Sequence, residues 1–487
     1  MKLGEVLRDV ACSYVRGASD DLAVTDVAYD SRCVEPGALF VCVPGAAHDG
    51  HDFAPSAAQR GAAALVVERE LDLAVPQAIV ADARDVLARA AANFFGNASR
   101  RMQVVGVTGT AGKTTVTMLV EHMLRAAGME CGIIGTIGNR MGDRMFSHRY
   151  TTPESRDLQE MLGAMEGMGA QAVAMEVSSH ALLTHRCAHT HFAVAAFTNL
   201  SREHMDLHDN MEDYFATKVR LFFEEDVASR VVCTSTDWGL RLARMLREAR
   251  RDFVEVSCDH TADVCARKIV PRGLAGSSVC AEVFGQELRF ELPLPSRFNV
   301  ANALVALAAV CQMGLDPARA AAMLASFAGV PGRMERIDTG GRGFTVVVDF
   351  AHTPEELVYA LRAAREGATG RVAVVFGCGG DRDKGKRPMM GEAATQADFV
   401  VVTNDNPRTE DPAAIAAQTV AGMGADAARA HVRLNRREAI RDALAWARPG
   451  DVVLIAGKGH ETTQTTGTET AHFDDREVVK EELAALP

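Results

Sequence analysis

In the run VGVTGTAGKTTV, residues 105–116, Gly109, Thr110, Gly112, Lys113, Thr114 and Thr115 form a group whose types suit the phosphates of a nucleotide. Glycines let backbone N–H groups come close to phosphate oxygens. A lysine supplies a mobile charge for the β- and γ-phosphates, and a threonine hydroxyl can ligate Mg2+. An apolar run leads into the loop, and a helix predicted from Thr115 to Ala127 follows it. That helix would add the positive end of its dipole. The spacing departs from the general phosphate-loop pattern: a leading glycine belongs at Val107, and Gly106 comes one place early. ATP binding is the reading the residues favour, with a chance glycine turn as the alternative.

AMEVSSH puts Glu176 at the end of an apolar run. A carboxylate there needs a cation, either Mg2+ shared with nucleotide phosphates or a nearby arginine. NLSREHMDLHDNMEDYFATK adds His204, His208, several acids and Lys218. The two histidines have a zinc-like spacing, but a third ligand at a suitable interval is missing. Lys218 lies in YFATKVRLFF, an amphipathic stretch, and by pattern alone is a solvated or snorkelling lysine. A buried lysine loses its proton readily, and a neutral amine can add CO2 to become a carbamate, an anion able to ligate a metal.

The elements that position these residues are legible from apolar runs. In the last third, FTVVVD runs into FAHTP, RVAVVF into GCGGDRDKGKR, DFVVVT into NDNPR, and DVVLIA into GKGHE. In the middle third, QVVGVT precedes GTAGKTT, AVAME precedes VSSH, and VAAFT precedes NLSREH. Short β-branched runs alternating with Ala- and Leu-rich helical stretches predict α/β domains with parallel sheets. Ligands bind at the carboxyl ends of such strands, so two half-sites facing a cleft are expected. Breaks at FGNASRRMQVV and FAGVPGRMERID divide the chain into 1–98, 99–332 and 333–487.

Composition limits the classes. A formal charge of −12 over 487 residues disfavours nucleic acid or an anionic membrane as the main partner. Apolar runs are too short for a membrane span, and the first residues carry charges where a signal peptide needs its apolar stretch. A cytoplasmic location is the default. The eleven cysteines include no CxxC pair, so small buried thiols are expected rather than a zinc cluster or a disulfide framework.

With GTAGKTT, MEVSSHAL, NLSREHMD, RFNVANALVALA, PGRMERID, VDFAHTP, GCGGDRDKGKRP, DNPRTEDP and AGKGHE in order, the chain resembles the Mur ligase family, ATP-dependent amide-forming enzymes of peptidoglycan precursor synthesis. The resemblance covers essentially the whole chain. It implies three domains: an N-terminal α/β domain for the uridine nucleotide, a central P-loop ATPase-like parallel-sheet domain, and a Rossmann-like C-terminal domain for the amino acid. Lys113 and Thr114 would serve phosphates and Mg2+. Glu176 would bind a first Mg2+, and His204 with carbamylated Lys218 a second. Asn299 and Asn302 would lie near adenine, with Arg333 and Asp349 approaching the nucleotide. Ser31, Thr151, Thr152, Ser178 and Arg186 would contact the muramoyl dipeptide. The chain departs from the family at Ala111, Glu203 and Phe350, where Asn, Asp and Tyr are common.

Within the family the motifs are similar to those of members that add the third amino acid to UDP-N-acetylmuramoyl-L-alanyl-D-glutamate. That residue is meso-2,6-diaminopimelate or lysine. Diaminopimelate carries one more carboxylate, and Arg408 in DNPR can clamp it with two parallel hydrogen bonds. The resemblance adds Asp405, Asn406, Pro407, Gly457 and Glu461 to that pocket, with Arg382 toward the other carboxylate. Without the neighbouring clusters, NDNPR is an Asn-Pro turn with a surface arginine. A monomer without nucleic acid or membrane insertion is expected. A lysine-adding enzyme, a folylpolyglutamate synthetase and a nucleotide-binding regulator without turnover are the alternatives.

Overall fold

The computed structural model describes residues 1–45, 48–147, 150–203 and 207–486. It divides into two compact units, residues 1–265 with 304–320, and residues 266–303 with 321–487.

The first unit holds two sheets. The N-terminal sheet runs in the order Ser13–Val15, Gln77–Ile79, Ala64–Val67, Leu39–Val41, Val27–Ala28. It is parallel except for its first strand. The larger sheet contains the order Val254–Ser257, Asp226–Cys233, His191–Phe197, Gln103–Thr108, Ala172–Glu176, Cys131–Ile134, all parallel. Helices cover both faces of parallel strands, which therefore read as unbroken apolar runs. Val104, Val105 and Val107 are fully buried, as are Ala172 to Met175. The register pairs Glu176 with Val107 and Phe197 with Thr108, so three strands end along one edge.

The second unit contains the sheet Glu335–Ile337, Thr345–Asp349, Val452–Ala456, Val372–Phe376, Phe399–Val402, Ala430–Val432. Only the first of these is antiparallel to its neighbour. Its apolar side chains feed two cores, one on each face. All four sequence-predicted runs of the last third are strands of this sheet, and each ends at its polar cluster. A separate hairpin, Thr463–Thr466 with Glu469–His472, follows the last of them. Seven of the eleven cysteines are buried, and none is in a disulfide. Among the described residues no helix is long and apolar enough to cross a membrane.

Candidate active site

The phosphate loop joins the strand Gln103–Thr108 to the helix Lys113–Ala126, which begins two residues before the predicted start. Gly109 has φ +151, and a Cβ there would lie 1.9 Å from Thr198 Oγ1, so only glycine lets the loop pass the neighbouring strand end. The early Gly106 has a packing reason: a Cβ would meet the Phe192 ring at 2.6 Å.

Two residues just past the strand His191–Phe197 pin the loop. The Ala111 N–H donates to Asn199 Oδ1 at 2.9 Å. Thr198 Oγ1 and Asn199 Nδ2 donate to the Ala111 carbonyl at 2.7 and 3.1 Å. Lys113 Nζ donates to the Gly109 and Thr110 carbonyls at 2.9 and 2.7 Å, which holds the ammonium against its own loop.

Glu176 is 1 % exposed at the end of Ala172–Glu176. Thr114 Oγ1 donates to its Oε1 at 2.9 Å, as does the Thr136 N–H at 2.9 Å, and Thr136 Oγ1 donates to Oε2 at 3.1 Å. A hydroxyl and a carboxylate at the loop are hard oxygen donors of the kind Mg2+ takes when phosphates and water complete its shell. The described residues hold no cluster of three or more His, Cys, Asp or Glu that could bind a metal. The donor set fits an ion shared with nucleotide phosphates. His204 lies outside the described residues.

Lys218, on the helix Met211–Phe223, is not the solvated lysine its pattern predicts: it is 1 % exposed. Its Nζ donates to the Gly109 carbonyl at 3.0 Å and lies over the Tyr214 ring, 4.7 Å from the centroid. Burial, reinforced by the nearby Lys113 charge and opposed by Glu203, holds its ammonium well below the usual lysine range. A buried amine whose proton is loosened, in contact with the phosphate loop, is of the kind that can add CO2. His208 is packed on Tyr214 with Nδ1 3.0 Å from Asp213 Oδ2.

Beside this edge, Thr152 Oγ1 donates to the Glu176 carbonyl at 2.8 Å, and the Ser178 N–H donates to Thr152 Oγ1 at 3.1 Å. Thr151 Oγ1 lies 3.3 Å from Thr136 Oγ1. Arg186, nearly fully buried, pairs with Glu154 at 2.9 Å and donates to the Thr152 carbonyl at 3.1 Å. Its buried Nε has no hydrogen-bond partner among the described residues. Thr151, Thr152, Ser178 and Arg186 are thus gathered around Glu176. Ser31 lies in the N-terminal turn Ser31–Cys33 and is buried. Nearby, Asp26 pairs with Arg156 at 3.0 Å and Tyr29 donates to Asp157 at 2.8 Å.

In the second unit Asn299 and Asn302 are buried on the helix Arg297–Gln312, and Asn302 Nδ2 donates to Asn299 Oδ1 at 3.2 Å. Arg333 lies over the Phe350 ring, 4.5 Å from its centroid. Asp349 accepts from the Met334 and Ala351 N–H groups at 2.6 and 2.7 Å. Burial raises its carboxyl above the ordinary range, with Arg333 and those two N–H groups pulling the other way.

The DNPR and GKGHE loops meet. Asn406 Nδ2 donates to Glu461 Oε2 at 3.0 Å and to Asp405 Oδ1 at 3.2 Å. The Gly457 N–H donates to the Asp349 carbonyl at 3.1 Å, and a Cβ on Gly457 would sit 2.9 Å from Asp405 Oδ2. Pro407 is buried, and Arg408 has φ +50, a left-handed conformation that costs energy in a residue with a side chain. The hairpin holds it there: the Arg408 N–H donates to the Thr465 carbonyl at 3.1 Å, and the Gly467 N–H donates to the Arg408 carbonyl at 2.7 Å. Its guanidinium donates to the Gly380 carbonyl at 2.6 Å. Burial, with repulsion from Arg382, lowers its hold on the proton, while Asp405 and Glu461 oppose that. Arg382 is exposed and donates to the Asp381 carbonyl at 3.2 Å.

Sequence reasoning did not single out Thr136, Thr198, Asn199 or the hairpin contacts. The rule that finds Glu176 also reaches Thr136, two residues past the strand Cys131–Ile134, and Thr198 and Asn199, just past His191–Phe197.

Three family models match: the Mur ligase family catalytic domain over residues 23–104, the Mur ligase middle domain over 107–310, and the Mur ligase glutamate ligase domain over 332–459. The chain is 40 % identical over 491 residues to UDP-N-acetylmuramoyl-L-alanyl-D-glutamate–2,6-diaminopimelate ligase of Syntrophomonas wolfei, covering 99 % of each chain. To the ligase of that name from Geobacillus thermodenitrificans it is 42 % identical over 490 residues, again with 99 % of each covered. A solved structure of a ligase of that name matches with TM-score 0.74 and 31 % identity, over 100 % of this chain and 99 % of that one. The parallel sheets, the loop with Lys113 and Glu176 at its edge, and these full-length matches agree: the chain belongs to the Mur ligase family.

Proposed function

We propose that the protein is an ATP-dependent ligase that joins meso-2,6-diaminopimelate to UDP-N-acetylmuramoyl-L-alanyl-D-glutamate in peptidoglycan precursor synthesis. One observation carries the choice of amino acid: Asp405, Asn406 and Glu461 share hydrogen bonds of 3.0–3.2 Å beside the Arg408 guanidinium. Carboxylates and an amide suit an ammonium, and a guanidinium suits a carboxylate; diaminopimelate carries both at its far end. Lysine would leave the guanidinium without its anion, and charge-assisted bonds contribute about 1.5–3 kcal/mol each.

A carboxylate does not condense with an amine in neutral water because its oxygen is a poor leaving group. An oxygen of the D-glutamyl γ-carboxylate attacks the γ-phosphorus of ATP, releasing ADP and forming an acyl phosphate. The diaminopimelate amine, having lost a proton, attacks the acyl carbon. The tetrahedral intermediate then expels phosphate and leaves the amide. The loop Gly109 to Thr115 holds the phosphates, with the N–H groups of Gly112 to Thr115 cradling phosphate oxygens while those of Thr110 and Ala111 are bonded to Asn199. Lys113 turns from its loop carbonyls to the β/γ-phosphates. Thr151, Thr152, Ser178 and Arg186 orient the muramoyl dipeptide, the buried Arg186 Nε offering an unused donor, and Ser31 meets the uridine nucleotide end. Asn299 and Asn302 serve adenine, and Arg333 and Asp349 the nucleotide. Arg382 meets a second carboxylate of the amino acid, with Pro407 and Gly457 shaping its pocket.

Thr114, Glu176, His204 and a carbamylated Lys218 would hold Mg2+, which would offset the negative charge of triphosphate and carboxylate. We assign the domains to residues 1–98, 99–332 and 333–487, and the protein acts as a cytoplasmic monomer without nucleic acid. The function is tested with a panel of amino acids assayed for ATP-dependent incorporation into the UDP-muramoyl dipeptide. Incorporation of meso-diaminopimelate far above lysine is expected; preference for lysine or glutamate would overturn the assignment.

A further inference from the structure

Arg436 and Asp475 form a pair with no exposed side-chain surface, far apart in sequence, and neither is assigned above to substrate. Arg436 opens the helix Arg436–Trp446, and Asp475 opens the helix Asp475–Ala485. Arg436 Nε and one terminal nitrogen donate to the two Asp475 oxygens at 2.7 and 2.6 Å. That terminal nitrogen also donates to the Ala456 carbonyl at 2.9 Å, and the other reaches the Asn404 carbonyl at 3.2 Å.

Those two carbonyls lie where the site is made. Ala456 ends the strand Val452–Ala456, and Gly457 follows it. Asn404 lies just past Phe399–Val402 and immediately before Asp405. The two strands are not neighbours, since Val372–Phe376 lies between them. A single planar fork thus ties the exits of two separated strands, one leading to Asp405, Asn406 and Arg408, the other to Gly457 and Glu461. The Arg436 charge also acts on Asp405 and Glu461 themselves.

Stability alone does not call for this arrangement. A buried ion pair loses so much hydration that apolar residues of similar volume often serve as well or better. What apolar residues cannot do is donate to two carbonyls at a fixed spacing. Lysine, with a point charge in place of a planar fork, is a poor substitute.

We infer that Arg436, oriented by Asp475, is a positioning residue of the amino-acid pocket: it sets the distance between the Asp405–Arg408 loop and the Gly457–Glu461 loop, and with it the affinity for the incoming diamino diacid. This rests on the ligase reading above.

The test compares wild type, the double variant Arg436→Met with Asp475→Leu, and Arg436→Lys. Melting curves establish which are folded, and KM is measured separately for diaminopimelate, ATP and UDP-muramoyl dipeptide. The Met/Leu variant should fold. Its kcat/KM for diaminopimelate should fall about 10- to 100-fold, mainly through KM, with the KM values for ATP and dipeptide within about twofold of wild type. If Met/Leu does not fold, Arg436→Lys decides with the same expected rise. A folded variant with unchanged diaminopimelate KM overturns the inference, as does an equal loss toward all three substrates, which would mark a general structural role. Wild-type enzyme that does not turn over diaminopimelate would instead refute the ligase reading.

Discussion

The Thr114 hydroxyl donates to Glu176 Oε1 at 2.9 Å, so the first turn of the phosphate-loop helix and the end of the strand Ala172–Glu176 meet through one hydrogen bond. Thr114 and Glu176 would help hold Mg2+, which would offset the charge of the nucleotide phosphates. Thr114→Val keeps the shape and removes the oxygen. Loss of the bond should cost about 1 kcal/mol of stability. The Mg2+ concentration giving half-maximal rate should rise at least about tenfold. A magnesium titration of the variant checks this, and an unchanged curve would separate Thr114 from the metal.

Lys218 is buried against the Gly109 carbonyl. If it is carbamylated, enzyme prepared with 13C-bicarbonate will give a carbamate carbon resonance that Lys218→Ala lacks. Lys218→Ala should also lose activity by about two orders of magnitude or more while still binding ADP. Full activity in Lys218→Ala, or no such resonance in wild type, would rule the carbamate out.

Glu225 supplies a pH test away from the site. Burial pushes its carboxyl up from 4.5 to about 7, against the pull of His189 and Arg220. Between those values the folded chain holds the proton more tightly than the unfolded chain, so this group's contribution to stability falls as pH rises through that window. Above it the penalty is constant, on the order of 3 kcal/mol for a shift from 4.5 to about 7. Glu225→Gln removes the titration. Its melting temperature should exceed that of wild type at pH 8 and converge with it below about pH 4.5. Parallel melting profiles across pH would contradict this.

Arg408 sits in a left-handed backbone conformation, φ +50, braced by the hairpin. Arg408→Ala should lose diaminopimelate addition by about two to three powers of ten while its rate with lysine stays low but nearly unchanged. Nucleotide binding should be intact. Competition between the two amino acids in one reaction measures the ratio directly, and unchanged selectivity would remove Arg408 from the pocket.

The strand-end rule accounts for much of what the sequence conveyed. Glu176, Asp349, Asp405 and Gly457 all lie at or just past carboxyl ends of parallel strands, because unbroken apolar runs betray strands buried on both faces. Periodicity failed for Lys218. It counted the lysine as polar, but Tyr214, Phe215 and Leu221 of its helix are buried with it, and a loop carbonyl accepts its hydrogen bond. The helix after the phosphate loop starts earlier than predicted because Gly112, φ +87, turns the chain immediately before Lys113. The Arg436–Asp475 pair was invisible because nothing in a local pattern connects residues on two helices through two strand carbonyls.

Activation of the D-glutamyl carboxylate by phosphorylation is the step on which the proposed ligase chemistry rests. Its most direct test uses UDP-muramoyl dipeptide labelled with 18O in both oxygens of the γ-carboxylate, with ATP and diaminopimelate. Each turnover should transfer one labelled oxygen to inorganic phosphate and keep the other in the new amide, with phosphate release requiring both co-substrates. Unlabelled phosphate, or amide formed without consumption of ATP, would contradict it.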